Sequence, residues 1–219
     1  MSQCQSNHEP SDLKVINLSA GVVAGANLTV RQGEVLVLMG PSGCGKSCLL
    51  KGIADLIPNT GEVWLSGHEK NHLPPSQWRK QVQLVPAESR WWFPSALPHF
   101  AQPPDDAVWE KVGLSKADGS KPIGYLSTGQ RQRLVLLRAL QNQPKVLLLD
   151  EPTASLDDET TLRVESFLQE YIARNAIPTL WVTHNMAQAE RVGSALLRFP
   201  EMVTSRLPRA CGAEPESRE

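Results

Sequence analysis

A glycine-rich turn between an apolar run and a helix-like stretch constrains this chain more than any other feature. Residues 40–47 read GPSGCGKS; they follow the apolar run Val35–Met39 and lead into the stretch Lys46–Ile57. Glycines let the backbone bend so that several N–H groups point at one anion, and the start of a helix adds its positive end. The pattern GxxxxGK[ST] between a strand and a helix therefore predicts a site for the phosphates of a nucleotide.

Two side chains of this loop and two later acids predict magnesium-dependent phosphate chemistry. We expect Lys46 to bind the β and γ phosphates and Ser47 to supply a hydroxyl ligand for Mg²⁺. A second apolar run, Val146–Leu149, ends on Asp150 and Glu151. Asp150 is the expected partner of the metal, and Glu151 can reach the water that attacks the γ phosphate. The residues expected to contact the nucleotide are Gly40, Pro41, Ser42, Gly43, Cys44, Gly45, Lys46, Ser47 and Cys48.

Apolar runs alternate with helix-like stretches along most of the chain, which predicts an α/β fold. Runs without polar alternation suit a mainly parallel sheet flanked by helices, here with an antiparallel β part at its N-terminal side. Prolines between residues 91 and 124 break long elements and predict a short helical subdomain. The expected parts are a core at about 13–86 and 131–205, a helical insertion at about 87–130, and loose tails at 1–11 and 208–219. Strands are expected at 13–18, 28–30, 35–39, 62–65, 82–85, 146–149, 180–182 and 196–199, and helices at 46–57, 105–112, 128–141 and 158–174.

Composition limits the classes of protein to which the chain can belong. Its 219 residues are enough for one domain, with 41% hydrophobic and 21% charged residues. The formal net charge of -1, without a basic stripe, gives no sign of nucleic-acid binding. No apolar run is long enough to span a bilayer, and the first ten residues lack a secretory signal, so we expect a cytosolic protein.

A third motif makes the assignment specific. Residues 126–130 read LSTGQ, in which a hydroxyl, a glycine and the start of a helix can form an anion site. After the phosphate loop come, in order, LSTGQ, the run that ends on Glu151, ASLD at 154–157 and a Thr-His pair that ends on His184. This order resembles the ATP-binding cassette (ABC) family over about residues 13–200. The usual family sequence is LSGGQ, and because Thr128 replaces its first glycine we expect weaker but retained engagement.

The resemblance implies that two copies of the chain bind ATP and Mg²⁺ head to tail. The residues that would contact the nucleotide of the other copy are Ser127, Thr128, Gly129 and Gln130. Ser155 and Asp157 would lie along the dimer interface, although either could also cap the helix that starts at Asp158. His184 would hydrogen-bond the γ phosphate and orient the attacking water. The expected catalytic residues are therefore Glu151, His184 and Lys46.

The chain departs from the family pattern just after the predicted strand at 82–85. The family usually has a glutamine there, but this chain has Ala87 followed by Glu88. We expect Glu88 to supply the missing metal ligand, with Gln83 as the alternative. Trp91 and Trp92 follow, either as part of a surface that faces a membrane partner or as the core of the insertion.

A second departure concerns the base of the nucleotide. Residues 13–33 contain no aromatic side chain, whereas the family usually stacks one on adenine. Val22 or Val23 lies near the expected position, so we expect aliphatic packing in place of stacking.

These features predict the ATPase subunit of a transporter, bound to the inner face of the cell membrane through a permease on a separate chain. One alternative is a cassette ATPase that serves a process other than transport. Another is a regulatory cassette that only binds ATP: Glu151 and His184 argue against it, whereas Ala87 and Thr128 mildly favour it.

Overall fold

Short strands separated by helices make up the molecule. The structure is a computed structural model that describes residues 12–207. Its strands are, in chain order, β1 (Leu13–Ala20), β2 (Val23–Val30), β3 (Val35–Met39), β4 (Asn59–Leu65), β5 (His68–Glu69), β6 (Val82–Val85), β7 (Val146–Asp150), β8 (Thr179–Val182), β9 (Ala195–Arg198) and β10 (Val203–Arg206). The predicted loose tails at 1–11 and 208–219 lie outside the described residues.

The strands form two sheets, one mainly parallel and one antiparallel. The larger sheet has the order β10-β9-β3-β8-β7-β6, and only β10 runs antiparallel to its neighbour. The smaller sheet, β2-β1-β4-β5, pairs its strands antiparallel throughout. This arrangement confirms the predicted α/β class with an antiparallel part near the N-terminal side.

Helices connect and cover the parallel strands. Their bounds are α1 (Lys46–Ile53), α2 (Pro75–Gln81), α3 (Asp106–Lys111), α4 (Lys116–Ser120), α5 (Thr128–Leu140), α6 (Asp158–Asn175) and α7 (Met186–Val192). The prediction that α1 extends to Ile57 was wrong, because Ala54 caps the helix and Asp55 adopts a left-handed conformation with φ 57°. The insertion also contains α4 in addition to the one helix predicted there. Across residues 12–207, no helix combines the length and apolar character needed to cross a bilayer.

The central strands β3, β7 and β8 of the larger sheet are buried on both faces. Alternate residues of β3 point into opposite cores: Val35 and Val37 pack with α5 and α6, whereas Leu36 and Leu38 pack with α1 and the antiparallel sheet. Strand β7 divides in the same way. Continuous apolar sequences suit these central strands because both of their faces are covered.

The parallel register brings the predicted chemical groups to one edge of the sheet. Strands β3, β8 and β7 are neighbours, so the segments that follow their carboxyl ends lie side by side. These segments are the glycine-rich turn after β3, the Asp150–Glu151 pair at the end of β7, and Thr183–His184 after β8. Ligands of open parallel sheets bind in such a crevice.

Candidate functional site

The glycine-rich turn bends sharply between the end of β3 and the start of α1. Gly43 and Gly45 have φ values of 78° and 110°, a region that side-chain-bearing residues rarely adopt. Gly40 cannot be replaced for a steric reason: a Cβ at this position would lie 2.1 Å from the Phe199 carbonyl oxygen. The turn therefore has the bent backbone that lets successive N–H groups face one anion.

Lys46 lies across this turn. Its ammonium nitrogen, Nζ, donates to the Gly40 carbonyl at 2.8 Å and to the Pro41 carbonyl at 2.7 Å. The side chain is only 6% exposed, so the charge is held within the loop. A phosphate cradled by the loop would meet this charge directly, as predicted for Lys46.

Ser47 and Asp150 form the expected metal-binding pair. Asp150 is 6% exposed. Burial raises the pKa of its carboxyl group; the Ser47 hydroxyl opposes this by hydrogen-bonding the carboxylate, whereas the charge of Glu151 raises the pKa further. A hydroxyl and a carboxylate in contact are oxygen donors of the kind that Mg²⁺ prefers, and a cation beside them would offset the buried negative charge. The residues present therefore fit a bound Mg²⁺.

Glu151 and His184 face each other at the carboxyl ends of β7 and β8. The Glu151 carboxylate oxygen Oε1 lies 2.9 Å from His184 Nε2. Both side chains are partly exposed, at 32% and 44%, and both line a cavity of about 560 Å³ that solvent can enter. A carboxylate in contact with an imidazole at such an edge can accept a proton from water and orient it.

The backbone of Glu151 is held from two sides. Its N–H donates to the Val182 carbonyl at 3.2 Å, and its carbonyl accepts from Gln132 Nε2 at 2.6 Å. Gln132 was not among the residues predicted from the sequence. The available signal was its position three residues after Gly129, on the same face of the predicted helix.

Residues 127–130 form the first turn of α5, on the surface. The Ser127 hydroxyl accepts from the Gln130 N–H at 3.1 Å, while the Gln130 side chain accepts from the Ser127 N–H at 2.9 Å. This capping box satisfies backbone N–H groups at the start of the helix, where Ser127 and Thr128 are exposed and Gly129 is buried. Among the described residues, no hydrogen bond or ion pair joins this turn to the 40–48 loop.

The 154–157 segment packs on that same turn. A Cβ on Gly129 would lie 2.9 Å from the Ser155 carbonyl oxygen and 2.8 Å from a methyl group of Leu156, so only glycine allows this contact. Asp157 caps α6 by accepting from the Thr160 N–H at 2.9 Å, as the capping alternative predicted. Hydrogen bonds from Thr160 hold the pKa of Asp157 below its ordinary value.

Comparisons with known proteins agree with this geometry. Residues 23–154 match the profile of the family described as "ABC transporter". The chain is 34% identical over 211 residues to an Escherichia coli protein named "Probable iron export ATP-binding protein FetA", covering 90% of this chain and 94% of that one.

The chain belongs to the ABC transporter family.

A second relative of this ABC ATPase, a phosphate import ATP-binding protein of Aeropyrum pernix, is 32% identical over 217 residues, covering 85% and 84% of the two chains. Among solved structures, the ADP- and phosphate-bound dimer of the cassette MJ0796 matches with a TM-score of 0.74. That match covers 90% of this chain and 99% of the other at 23% identity, and it confirms the predicted fold. The family assignment also confirms that the chain is an ABC transporter ATPase.

The departure of this ABC ATPase after β6 is visible in the structure. The Gln83 amide donates to the Arg79 carbonyl and accepts from Asn142 at 3.3 Å, within the strand and not beyond its end. The alternative that Gln83 replaces the family glutamine is therefore wrong. Glu88 is exposed and lines a cavity of about 320 Å³ together with Thr128 and Gln132.

Two valines lie against the phosphate loop of the ABC ATPase. A Cβ on Gly45 would lie 2.9 Å from a methyl group of Val23 and 3.0 Å from one of Val22. Val22 is 72% exposed at the turn between β1 and β2, whereas Val23 is buried. An exposed methyl surface beside the loop is where aliphatic packing on a base is expected.

The adjacent tryptophans differ in burial: Trp91 packs on the core, whereas a contact of Trp92 with a membrane partner stays a prediction. Trp91 is partly buried and packs against the hydrophobic core that includes residues of α5. Trp92 is 68% exposed, and Phe93 is 45% exposed. The Arg138 guanidinium stacks 4.7 Å from the Trp91 ring and 5.0 Å from the Trp92 ring. His99 lies between the rings, where burial lowers its pKa. We call Trp92, Phe93, His99 and Arg138 the aromatic surface.

Proposed function

We propose that the chain hydrolyses MgATP as a head-to-tail homodimer and that this cycle drives a separate membrane permease. The observation that carries the proposal is the 2.9 Å contact between Glu151 and His184 beside the Ser47–Asp150 pair. A cassette that only bound ATP would need the phosphate loop but not this pair.

Within one chain, each group has a distinct part in hydrolysis. The loop and Lys46 hold the β and γ phosphates, while Ser47 and Asp150 hold Mg²⁺, which offsets phosphate charge when it is bound. Glu151 accepts a proton from the attacking water, and His184 keeps that carboxylate and water oriented toward the γ phosphate. Glu88 adds a carboxylate on the α5 side of the site in place of the family glutamine.

A second copy supplies what one chain leaves open. The exposed start of α5, with Ser127 and the Gly129 backbone, is an anion site that has no phosphate partner in its own chain. A head-to-tail pair would place this turn against the nucleotide held by the partner, with Ser155 and Asp157 along the interface. Two observations support a cycle in which ATP closes the pair and hydrolysis opens it: the relatives named as export and import ATP-binding proteins, and the similar cassette whose ADP- and phosphate-bound form is a dimer.

The permease supplies the membrane attachment in this proposal. The aromatic surface offers an exposed indole and phenyl ring next to a guanidinium, a combination that suits an interface core. A cytoplasmic segment of the permease would dock there, which would place the ATPase on the inner face of the membrane. The chain carries out the chemistry, and the permease moves between its two access states.

The central prediction is that Glu151→Gln binds ATP but loses turnover. The amide cannot accept the proton of the attacking water, and removing such a group lowers the rate by roughly 10²–10⁴-fold. The reduced charge also favours the ATP-bound pair, so the variant should elute as a dimer with MgATP and as a monomer without it. ATPase assays and size-exclusion chromatography measure the two effects.

Glu110→Gln is the matched control, because this residue is exposed on α3, away from the site. It should hydrolyse ATP at the parent rate. Near-parent hydrolysis by Glu151→Gln would show that another group is the base. Monomers of Glu151→Gln in saturating MgATP would instead refute the head-to-tail pair.

A further inference from the structure

A buried glutamine connects the start of α5 to the backbone of Glu151. Gln132 is 5% exposed, and its amide nitrogen donates to the Glu151 carbonyl at 2.6 Å. It lies one helical turn after Gly129, which itself packs on Ser155 and Leu156. The first two turns of α5 therefore contact both ends of the 151–156 segment.

The backbone that Gln132 contacts is in an unfavourable conformation. Glu151 has a φ of 50°, a left-handed value that a residue with a side chain adopts only when its surroundings hold it there. The bond from Gln132 restrains the carbonyl side of this residue, and the bond to Val182 restrains its N–H. The direction of the Glu151 side chain, and so its contact with His184, depends on both restraints.

The same helix presents Ser127 to the outside. In the proposed head-to-tail dimer, Ser127 contacts the γ phosphate of the partner's nucleotide, whereas Glu151 of the same chain serves its own nucleotide. If the first turns of α5 moved, the Glu151 carbonyl would move with them. The buried hydrogen bond of Gln132 and the close contact of Gly129 hold α5 tightly against the 151–156 segment.

We propose that Gln132 is a positioning residue that makes the geometry of Glu151 depend on the phosphate bound at the start of α5. The nucleotide bound by the partner would then stabilise the placement of each chain's catalytic carboxylate. This inference rests on the proposed head-to-tail dimer, and it assigns the link between the two sites to one side chain.

The first test replaces the amide by a side chain of similar length without a donor. Gln132→Met should fold and bind ATP as the parent does, but its kcat should fall roughly ten- to a hundredfold, as expected for a misplaced catalytic group. Gln141→Met is the matched control, because Gln141 sits at the far end of α5 and its amide also donates to a backbone carbonyl, that of His99. An equal loss in both variants, or in neither, would overturn the proposal.

A double-mutant cycle tests the connection to Ser127. If Gln132 transmits the effect of Ser127, then Ser127→Ala and Gln132→Met together should lower kcat no further than the more severe single variant. Independent effects would multiply, and that result would overturn the proposal. A parent-like kcat for Ser127→Ala would instead overturn the head-to-tail contact, so the two failures are distinguishable.

A third variant separates positioning from packing. Gln132→Glu keeps the size of the side chain, and the buried carboxyl can donate to the Glu151 carbonyl only when it is protonated. Its kcat relative to the parent should therefore rise several-fold as the pH is lowered from 8 to 6. The parent is assayed at each pH, so that the ratio removes the pH dependence that both proteins share. A ratio that does not change with pH would contradict a role for the donor, even if Gln132→Met proved too unstable to assay.

Discussion

The carboxyl group of Asp150 lies in a buried environment that disfavours its charged form. Its side chain is almost fully buried, and burial is the largest reason that its pKa is raised above the ordinary value of 3.8. The Ser47 hydroxyl offsets only part of this effect. We therefore expect Asp150 to lower the stability of the metal-free protein, a cost that the proposed Mg²⁺ would offset when bound.

We predict that Asp150→Asn stabilises the metal-free protein while removing its Mg²⁺-dependent hydrolysis. Because the folded-state pKa is raised, the ionised residue destabilises the fold above pH 3.8, and this loss is complete above the folded-state pKa. The melting temperature of the variant should therefore exceed that of the parent at pH 8, by about 2–4 °C for each kcal/mol. The difference between the two melting temperatures should become smaller as the pH is lowered toward 3.8.

Thermal melts of both proteins at several pH values, with and without MgATP, check this prediction. MgATP should raise the melting temperature of the parent more than that of the variant, since the ligand binds the native state. A variant that melts below the parent at pH 8 would mean that the hydrogen bond with Ser47 outweighs desolvation.

The glycine-rich loop at residues 40–47 carries a thiol at its centre. Cys44 is half-buried, and its sulfur lies 3.9 Å from Lys46 Nζ. Cys48, one helical turn later, packs against the β1–β2 turn, where its sulfur would lie 3.0 Å from a Cβ on Gly21. The two cysteines therefore differ in what a reagent bound to them would disturb.

We predict that alkylation of Cys44 inhibits hydrolysis and that MgATP protects against it. An added group at this sulfur would occupy the space that the loop offers to phosphate. The rate of inactivation by N-ethylmaleimide, with and without MgATP, measures the effect. Cys44→Ser should remove the sensitivity and Cys48→Ser should retain it. Inactivation at one rate in all conditions would locate the reactive thiol elsewhere.

The elements that the sequence predicted well are those that the core fixes. Strands β3 and β7 are continuous apolar runs because these central strands are buried on both faces, and the motif residues lie at or just after their ends. The helix α4 and the strand β10 were not predicted, since they are short and polar and depend on their neighbours. Gln132 escaped prediction for a related reason: its partner is a backbone carbonyl 19 positions away, to which no side-chain motif points.

The proposed sites of hydrolysis and of docking lie in different parts of the molecule. The proposed catalytic groups lie at the carboxyl edge of the sheet, whereas the aromatic surface lies on the insertion side, against α5. Arg138 lies on α5, the helix that Ser127 caps. One helix thus extends from the proposed nucleotide interface to the proposed permease interface.

We predict that Trp92→Ala leaves soluble ATPase activity and melting temperature near the parent values but weakens binding to the permease. The indole is mostly exposed, so its removal leaves little cavity, yet such a ring can dominate an interface. Co-purification of the membrane partner with tagged ATPase measures binding. Leu56→Ala, which removes an exposed apolar side chain elsewhere, is the control. Equal recovery of the partner with Trp92→Ala would exclude this surface as the docking site, whereas Trp91→Ala should lower stability because that ring is packed.

Strand β10 lies at one end of the larger sheet, and within residues 12–207 no strand pairs with its outer side. Open edges of this kind can recruit another chain and lead to uncontrolled aggregation. Strand β10 exposes Thr204, Ser205 and Arg206, whose polar or charged side chains discourage such pairing. An association made by sheet extension would persist whether or not ATP was present. A polar edge is therefore compatible with the proposed dimer, whose association depends on the nucleotide.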